Sequence, residues 1–123
     1  GSDDVDEVAW YAENSDGHKH TVATKMSNAC GLYDMSGNVF EWVWDWYGAY
    51  SSGSQSDPVG PSSGTGLLLG GRLSPYTAHR RVYRGGSWGS AARFTRVSYL
   101  SYASPSIRYY NLGFRLSRSA SAK

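Results

Sequence analysis

A strict alternation of aromatic residues near the middle of the chain limits what it can fold into. Within residues 39–47, large rings stand at every second position, separated by Glu41, Val43 and Asp45. A period of two is that of a β-strand, whereas a helix would scatter the rings around its circumference. The pattern predicts a central strand whose aromatic face packs into the core through Phe40, Trp42, Trp44 and Trp46.

Two more segments alternate in the same way. Residues 81–88 predict a strand that is broken at Gly85 and Gly86, and residues 111–118 predict a closing strand with Leu112, Phe114 and Leu116 on one face. A triple leucine at residues 67–69 predicts either a short strand or an insertion into the core. The segments without a clear period are predicted to be loops, namely residues 48–66, 70–81 and 89–105.

Composition narrows the class of protein. Residues 1–123 are enough for one domain with a real core. Aromatic residues make up 15% and there are fifteen glycines, which favours a loop-rich fold whose turns are packed by rings. Cys30 is the single cysteine, so an intrachain disulfide is excluded. The sequence shows no transmembrane segment and no recognisable signal peptide.

Six blocks of the sequence resemble, in family order, the formylglycine-generating enzyme (sulfatase-modifying factor) superfamily. They are residues 8–14, 31–42, 45–47, 57–61, 84–88 and 112–116. The resemblance implies an α+β, C-type-lectin-like fold of the formylglycine-generating-enzyme subtype, with short twisted sheets and long ordered loops. Residues 66–80 depart from the family pattern and are predicted to be an insertion.

The resemblance to the enzymes fails at their catalytic positions. Formylglycine-generating enzymes carry a cysteine pair after the block at residues 84–88, because thiolates bind copper and are redox-active. Residues 88–96 contain no cysteine here. Related sulfoxide synthases bind iron through three histidines, but His18 and His20 lie in a turn and are predicted to be solvated. We predict that the chain is not an enzyme and requires no cofactor; a metalloenzyme of either type is the alternative.

A different resemblance lies in residues 81–116, where a framework of Arg, Gly and Leu is interrupted by residues of one kind. Each interrupting residue has a codon that can be reached from an asparagine codon by changing adenines alone, and Asn111 would be an unchanged position. The set is Tyr83, Ser90, Ala91, Phe94, Tyr99, Leu100, Tyr102, Ala103, Ser104, Ile107, Tyr109 and Tyr110. This texture resembles the variable region of proteins that a diversity-generating retroelement rewrites, some of which use this lectin-like fold.

That resemblance implies that these twelve residues bind a ligand and that residues 83–110 form the variable region. The ligand itself stays unidentified; a protein or another cell-surface molecule is expected, and the chain is expected to be displayed on a cell or phage surface. Tyrosine offers a large, stiff, amphipathic contact area, as in antibody paratopes. We therefore expect Tyr99, Tyr102, Tyr109 and Tyr110 to be exposed. Trp88 is expected to be either the wall of the site or, preferably, a core anchor, and Tyr83 to be either structural or ligand-binding.

The arginines of the same region resemble interior framework residues of the family, which tie loop carbonyls and carboxylates together. They are Arg84, Arg93, Arg96, Arg108 and Arg115. A basic patch for nucleic acid is the alternative, but the formal net charge of +2 argues against nucleic acid as the partner.

Four positions match a calcium site of the family enzyme, in which two side chains and two main-chain carbonyls supply oxygen ligands. They are Asp34, Gly37, Val39 and Glu41. The resemblance implies a possible structural calcium ion; the alternative is that Asp34 and Glu41 cap the turn or pair with arginines. A calcium-dependent sugar-binding lectin is a third functional hypothesis, although the Glu-Pro-Asn type of sugar motif is absent.

Overall fold

The computed structural model describes residues 1–48, 53, 54, 56, 60, 61, 68, 69, 72, 73 and 79–117. In chain order the elements are α1 (Val5–Val8), β1 (Ala9–Trp10), β2 (Ser36–Gly37), β3 (Phe40–Trp46), β4 (Leu68–Leu69), β5 (Arg72–Leu73), β6 (Arg81–Arg84), the 3-10 helix η1 (Ala92–Phe94), β7 (Leu100–Ala103) and β8 (Leu112–Gly113). Among these elements, no helix has the length and apolar character needed to cross a bilayer.

Strands β4 and β5 pair with each other, so the short strand predicted at residues 67–69 is present and the loop predicted at residues 70–81 contains a second one. The rest of the predicted loop at residues 48–66 and of the predicted insertion at residues 66–80 lies largely outside the described residues.

The principal sheet has four strands in the order β7-β6-β3-β8, and β3 occupies the interior position that its aromatic content predicted. Strand β3 pairs antiparallel with β6 and parallel with β8. Tyr83 of β6 lies opposite Trp42 and contacts both Trp42 and Phe40 edge-on, with ring centroids 5.6 and 5.0 Å apart. Such cross-strand aromatic contacts stabilise a sheet.

The aromatic face of β3 does not continue to Trp44, whose side chain is 81% exposed. The prediction that Trp44 belongs to the core is therefore wrong, and the strand register gives the reason. Trp42 lies opposite Tyr83 and Trp46 opposite Arg81, so four residue steps along β3 correspond to two along β6. Extra residues in one strand interrupt the alternation of faces. The other three rings of the stretch are half-buried.

The Arg81 guanidinium covers the aromatic rings at this irregularity. Its central carbon lies 3.5 Å from the Trp46 ring centroid and 4.8 Å from that of Trp44. It also donates a hydrogen bond to the Trp44 carbonyl oxygen. A guanidinium stacked on an aromatic ring is attracted to it even at a partly exposed site. Together with the hydrogen bond, this attraction lets Arg81 stabilise the irregular end of β3.

The closing strand is shorter than residues 111–118. Its ladder with β3 ends at Gly113, so the prediction that Phe114 and Leu116 share one strand face with Leu112 is wrong; their side chains are 72% and 89% exposed. Past Gly113 the chain is held instead by the side chain of Arg115, which binds Glu41.

Strand β7 was not predicted, because residues 89–105 show no period. Two of its four residues, Ser101 and Ala103, have low β-propensity. The strand forms because all four residues pair with β6.

The most buried residues lie where residues 9–15 meet the turn at residues 85–90. Ala9 and Ser15 are fully buried, and Ser87 is 1% exposed. The Ala12 amide donates to the Ser90 carbonyl at 3.0 Å. Small side chains at this seam let the two backbones approach closely enough to hydrogen-bond directly.

Gly37 shows how close that approach is. It has a φ of +77°, and a Cβ on it would overlap the Trp10 carbonyl oxygen and lie 2.7 Å from the Trp10 amide nitrogen. Strands β1 and β2 pair at this point. Only glycine both adopts this left-handed backbone without strain and fits where there is no room for a Cβ.

We predict that Gly37→Ala lowers the free energy of unfolding by about 3 kcal/mol or more, because the left-handed strain and the backbone overlap add. Gly17→Ala is the matched control: its φ is +74° and nothing lies within 4 Å of its added Cβ. That variant carries the conformational term alone, about 1 kcal/mol. Chemical denaturation measures both, and equal losses would contradict the close approach at Gly37.

Tyr11 gives the fold a pH dependence. Burial, assisted by the hydrogen bond from its hydroxyl to Asp6 at 3.0 Å, raises its pKa from 10.0 to about 12. The unfolded chain therefore ionises at this residue before the folded chain does. Its contribution to stability is complete below pH 10.0 and is lost as the pH rises to about 12.

We predict that wild-type stability falls more steeply over this alkaline range than that of Tyr11→Phe, which has no phenol to ionise. Tyr110→Phe, which removes one phenol from an exposed site, is the control and should follow the wild type. Denaturation midpoints measured across the range decide the point, and parallel curves for wild type and Tyr11→Phe would refute it.

Candidate ligand-binding surface

The twelve predicted ligand-binding residues fall in three parts of the structure. Strands β6 and β7 carry four of them, the segment from Trp88 to Tyr99 carries four, and the loop that leads to β8 carries four. In that order they are Tyr83, Leu100, Tyr102 and Ala103; Ser90, Ala91, Phe94 and Tyr99; and Ser104, Ile107, Tyr109 and Tyr110.

Ten of the twelve are exposed or half-buried, whereas Ser90 and Ala103 are each 8% exposed. The Ser90 hydroxyl accepts a hydrogen bond from the Ser87 amide at 3.0 Å, and the Ser90 amide donates to the Ser87 carbonyl at 2.9 Å, which closes the turn. Ala103 lies opposite Arg81 in the sheet. Contrary to the prediction, both residues belong to the framework and offer almost no surface to a ligand.

Strand alternation separates the residues on β6 and β7. Tyr83 lies opposite Ser101, while Tyr102 lies opposite Val82, so Tyr83 and Tyr102 project to opposite faces of the sheet. The Tyr83 hydroxyl accepts a hydrogen bond from the Ser101 hydroxyl at 3.0 Å. With its ring against Phe40 and Trp42, Tyr83 has the structural role that the sequence left open.

Tyr102 packs on the other face, where its ring centroid lies 3.7 Å from that of Tyr47. The Arg80 guanidinium covers the Tyr102 ring at 4.9 Å. Tyr102 is half-buried for this reason, and not exposed as predicted.

Two exposed tyrosines of the predicted set lie in the loop before β8, and one of them packs beside Trp88. Tyr109 and Tyr110 are 48% and 78% exposed, and the Tyr110 ring centroid is 5.7 Å from that of Trp88. We call these three residues the Trp88–Tyr110 patch. An aromatic cluster of this kind, displayed at the surface, is typical of recognition sites.

The backbone under this patch is fixed by hydrogen bonds on both sides. The Trp88 amide donates to the Asn38 carbonyl and its carbonyl accepts from the Ser15 hydroxyl, both at 2.7 Å. Asn111 donates from its side chain to the Ser87 hydroxyl at 3.2 Å, and its carbonyl accepts from the Phe40 amide at 2.8 Å. These contacts fix the backbone at Trp88, whose ring is half-buried, and Asn111 ties the loop to β3.

A second aromatic pair forms around η1. The Phe94 and Tyr99 ring centroids lie 4.9 Å apart, and the Arg93 guanidinium covers the Phe94 ring at 4.5 Å. We call these three residues the Phe94–Tyr99 patch. Tyr99 was predicted to be exposed and is half-buried, because its ring packs against Phe94.

The arginines of this region are exposed, although the sequence predicted interior positions. Three of them nevertheless bind loop carbonyls as expected, and one of these is Arg115, which donates to the carbonyls of Tyr33 and Asp34. Arg84 donates to the Val97 carbonyl, and Arg96 donates from Nε to the Arg93 carbonyl at 2.9 Å. The guanidinium groups therefore brace the loops from outside.

The four predicted calcium ligands do not all face one space. Asp34, Val39 and Glu41 line one cleft of about 420 Å³, whereas Gly37 is buried and its amide donates to the Gly85 carbonyl at 2.7 Å. One Asp34 carboxylate oxygen accepts from the Ala23 amide at 2.8 Å.

Arg115 occupies the remaining carboxylate. Its Nε and Nη2 lie 2.6 and 2.7 Å from the two Glu41 oxygens, and it also donates to the carbonyls of Tyr33 and Asp34 at 3.0 and 3.1 Å. The hydrogen bonds with Glu41 raise the pKa of Arg115 above its ordinary value. In the described geometry Glu41 therefore pairs with an arginine, which is the alternative to a calcium ligand that the sequence named.

The histidines are engaged in packing. His20 stacks between Trp10 and His18, with ring centroids 3.7 and 4.6 Å away, and its Nε2 lies 2.8 Å from the Ser15 carbonyl oxygen. The sequence predicted solvated histidines, which is wrong for His20. Among the described residues, no three His, Cys, Asp or Glu side chains group as metal ligands.

One groove was missed by the sequence. A cavity of about 370 Å³ is lined by apolar side chains that include Met26, Leu32, Met35, Val43 and Val97, and none of the twelve predicted residues borders it. These residues are spread along the chain without a shared period, so no pattern could have assembled them.

Comparison with known proteins establishes the family. The model for the sulfatase-modifying factor enzyme 1-like domain matches residues 3–120. The chain belongs to this family. The α+β, C-type-lectin-like fold of the formylglycine-generating-enzyme subtype is thereby confirmed.

Solved structures support the same assignment. Variable protein 1 of Treponema denticola is 38% identical, with a TM-score of 0.73 over 89% of this chain and 35% of that chain. PvdO from Pseudomonas aeruginosa is 28% identical, with a TM-score of 0.68 over 93% of this chain and 40% of that one. The predicted resemblance to variable proteins of this fold is thus confirmed.

A curated relative represents the enzymes of the family. The formylglycine-generating enzyme of Streptomyces coelicolor is 34% identical over 112 residues, which cover 85% of this chain and 31% of that enzyme. The chain therefore spans well under half the length of this enzyme, and also under half the length of each of the two solved structures.

We predict that Glu41 and Arg115 are energetically coupled. In a double-mutant cycle with Glu41→Gln and Arg115→Met, the coupling should be about 1 kcal/mol, since the pair is partly exposed. Chemical denaturation measures it. Saturating calcium should leave the wild-type melting temperature at its value in chelator. Negligible coupling together with a melting temperature raised by calcium would favour the calcium site.

Proposed function

We propose that this chain is a non-catalytic ligand-binding scaffold whose exposed side chains within residues 83–110 are diversified by a retroelement. The proposal rests on one observation at the Trp88–Tyr110 patch: the residues that fix the backbone are different from the exposed tyrosines. The hydrogen bonds that fix the loop come from Ser15, Asn38, Ser87 and Asn111. The rings of Tyr109 and Tyr110 project from that fixed backbone. The side chains that would vary are not the ones that hold the fold.

The chemistry of the exposed residues supports recognition. Tyrosine and tryptophan contribute large contact areas with few rotatable bonds, so little conformational entropy is lost on binding. The loop backbone is already ordered by its own hydrogen bonds, which lowers the entropic cost further. The similarity to a variable protein of Treponema denticola supports the same function.

Two observations support a non-catalytic role. Residues 88–96, which follow the Arg-Gly-Gly-Ser block, contain no cysteine, and Cys30 lies in an exposed turn. His20 already uses its Nε2 and both ring faces for packing. Among the described residues, no three His, Cys, Asp or Glu side chains are grouped so that they could hold a copper or iron ion.

The first test measures whether the fold tolerates change where the proposal requires it. We predict that Tyr109→Asn and Tyr110→Asn each alter the free energy of unfolding by less than about 0.5 kcal/mol, as is usual at exposed sites. Ala103→Asn should lose about 2 kcal/mol or more, because it buries an amide without an assigned partner. Asparagine is chosen because it is the proposed starting residue at every variable position.

Thermal and chemical unfolding provide the readout. Losses at Tyr109 and Tyr110 as large as the loss at Ala103 would contradict the scaffold proposal, since the tyrosines would then belong to the fold.

The second test concerns the gene. Sequencing the gene and its flanking DNA should reveal a near-identical repeat that carries asparagine codons, together with a reverse transcriptase gene. Across a population, substitutions should fall at bases of the variable codons where the repeat carries adenine, and should spare the codons of Arg84, Gly86 and Trp88. An invariant region, with no repeat nearby, would remove diversification and leave a binding protein of fixed specificity.

We further propose that the chain is displayed on the surface of a cell or phage, because a variable recognition surface is useful only where it meets external molecules. Antibody labelling of intact cells or particles tests this, with a permeabilised sample as the control. Labelling that requires permeabilisation would contradict it.

A further inference from the structure

The charges of the chain are divided between its two halves. All ten Asp and Glu residues precede position 58, whereas ten of the twelve Lys and Arg residues follow position 57. The formal net charge of +2 conceals this division. Every proposed variable residue therefore lies in a segment without a single carboxylate.

Several arginines of that segment are engaged within the fold. Arg115 pairs with Glu41, which is the only ion pair within the part of the chain that the structure describes. Arg81 stacks on Trp46, and Arg84 binds the Val97 carbonyl.

Three others remain exposed next to the candidate binding residues. Arg93 lies over Phe94, Arg96 bonds only to the Arg93 carbonyl, and Arg108 immediately precedes Tyr109. No described carboxylate pairs with any of the three. Their positive charges are left for a partner to neutralise.

We propose that the ligand is a protein or peptide whose contact surface carries Asp and Glu side chains, which bind Arg93, Arg96 and Arg108 while its apolar groups pack on the Trp88–Tyr110 and Phe94–Tyr99 patches. This inference rests on the proposed function and adds the chemical class of the ligand. A guanidinium presents a planar fork that matches a carboxylate in a bidentate pair.

The composition of the surface favours a protein partner over nucleic acid. No lysine occurs between Lys25 and Lys123, and along the chain the exposed arginines are interspersed with aromatic and small residues. Aromatic residues and arginine dominate the energetics of protein–protein contacts, whereas nucleic acid binding depends on many phosphate contacts along a basic track. The single sign of charge also repels basic partners, which contributes specificity.

The experiment exposes the folded chain, at physiological salt, to an array of immobilised random peptides. Retained peptides should be enriched in Asp and Glu relative to the array as a whole. Arg108→Glu should lower their retention about tenfold, corresponding to the loss of one charge-assisted contact. Lys19→Glu is the matched control, because it makes the same change in net charge at an exposed site in the acidic half; it should change retention less than about twofold.

A Tyr109→Ala, Tyr110→Ala variant separates the inference from the proposed function. Peptides that are retained through the tyrosines but show no enrichment in acids would overturn the inference and leave the binding scaffold intact. Retention that is absent, or indifferent to the tyrosine substitutions, would overturn the proposed function itself. Displacement of the peptides by mixed-sequence single-stranded DNA would show a general polyanion surface and would also overturn the inference.

Discussion

The backbone of Trp88 is the point on which the rest of this structure depends. Its amide and carbonyl are bound by Asn38 and Ser15, residues that lie far apart in the sequence. Asn38 has a φ of +61°. Its side-chain amide accepts a hydrogen bond from the His20 amide at 3.0 Å and donates one to the His20 carbonyl at 3.1 Å. Buried hydrogen bonds of this kind are costly to break, because each partner would be left without water. The turn that precedes the binding loops is thereby joined to both the N-terminal segment and the residues that lead into β3.

That joint explains how a fold with few regular elements can present a defined surface. The residues at the seam are small, so order comes from close backbone contacts more than from large buried side chains. The large rings are correspondingly available at the periphery, where Tyr110 and Trp44 are mostly exposed. Because backbone hydrogen bonds hold this framework, its outer side chains can be replaced with little loss of stability.

The sequence predicted what depends on local pattern and on family motifs. The position of β3, the break of β6 at Gly85 and the lectin-like fold were all predictable in this way. The exposure of Trp44 was not predictable, because the period-two argument assumes a constant register between paired strands. The register of β3 and β6 shifts between Trp42 and Trp46. The burial of Ser90 and Ala103 could not be predicted either. The codon argument selects residues by amino-acid type, whereas burial depends on contacts with residues distant in the sequence. The pairing of Glu41 with Arg115, 74 positions away, could be named only as one alternative.

Strand β7 has a consequence for how the proposed variable positions interact. Neighbouring residues on a strand face opposite sides of the sheet, so Tyr102 meets Tyr47 while Ser101 meets Tyr83. Substitutions at residues without shared contacts combine additively. Tyr83 and Tyr102 are both proposed variable positions, and they share none of these contacts. Substitutions at these two positions should therefore combine with little epistasis, and the residue on one face does not restrict what is acceptable on the other. The alternation of side chains along β6 and β7 thus places these proposed variable residues on two separate faces of the sheet.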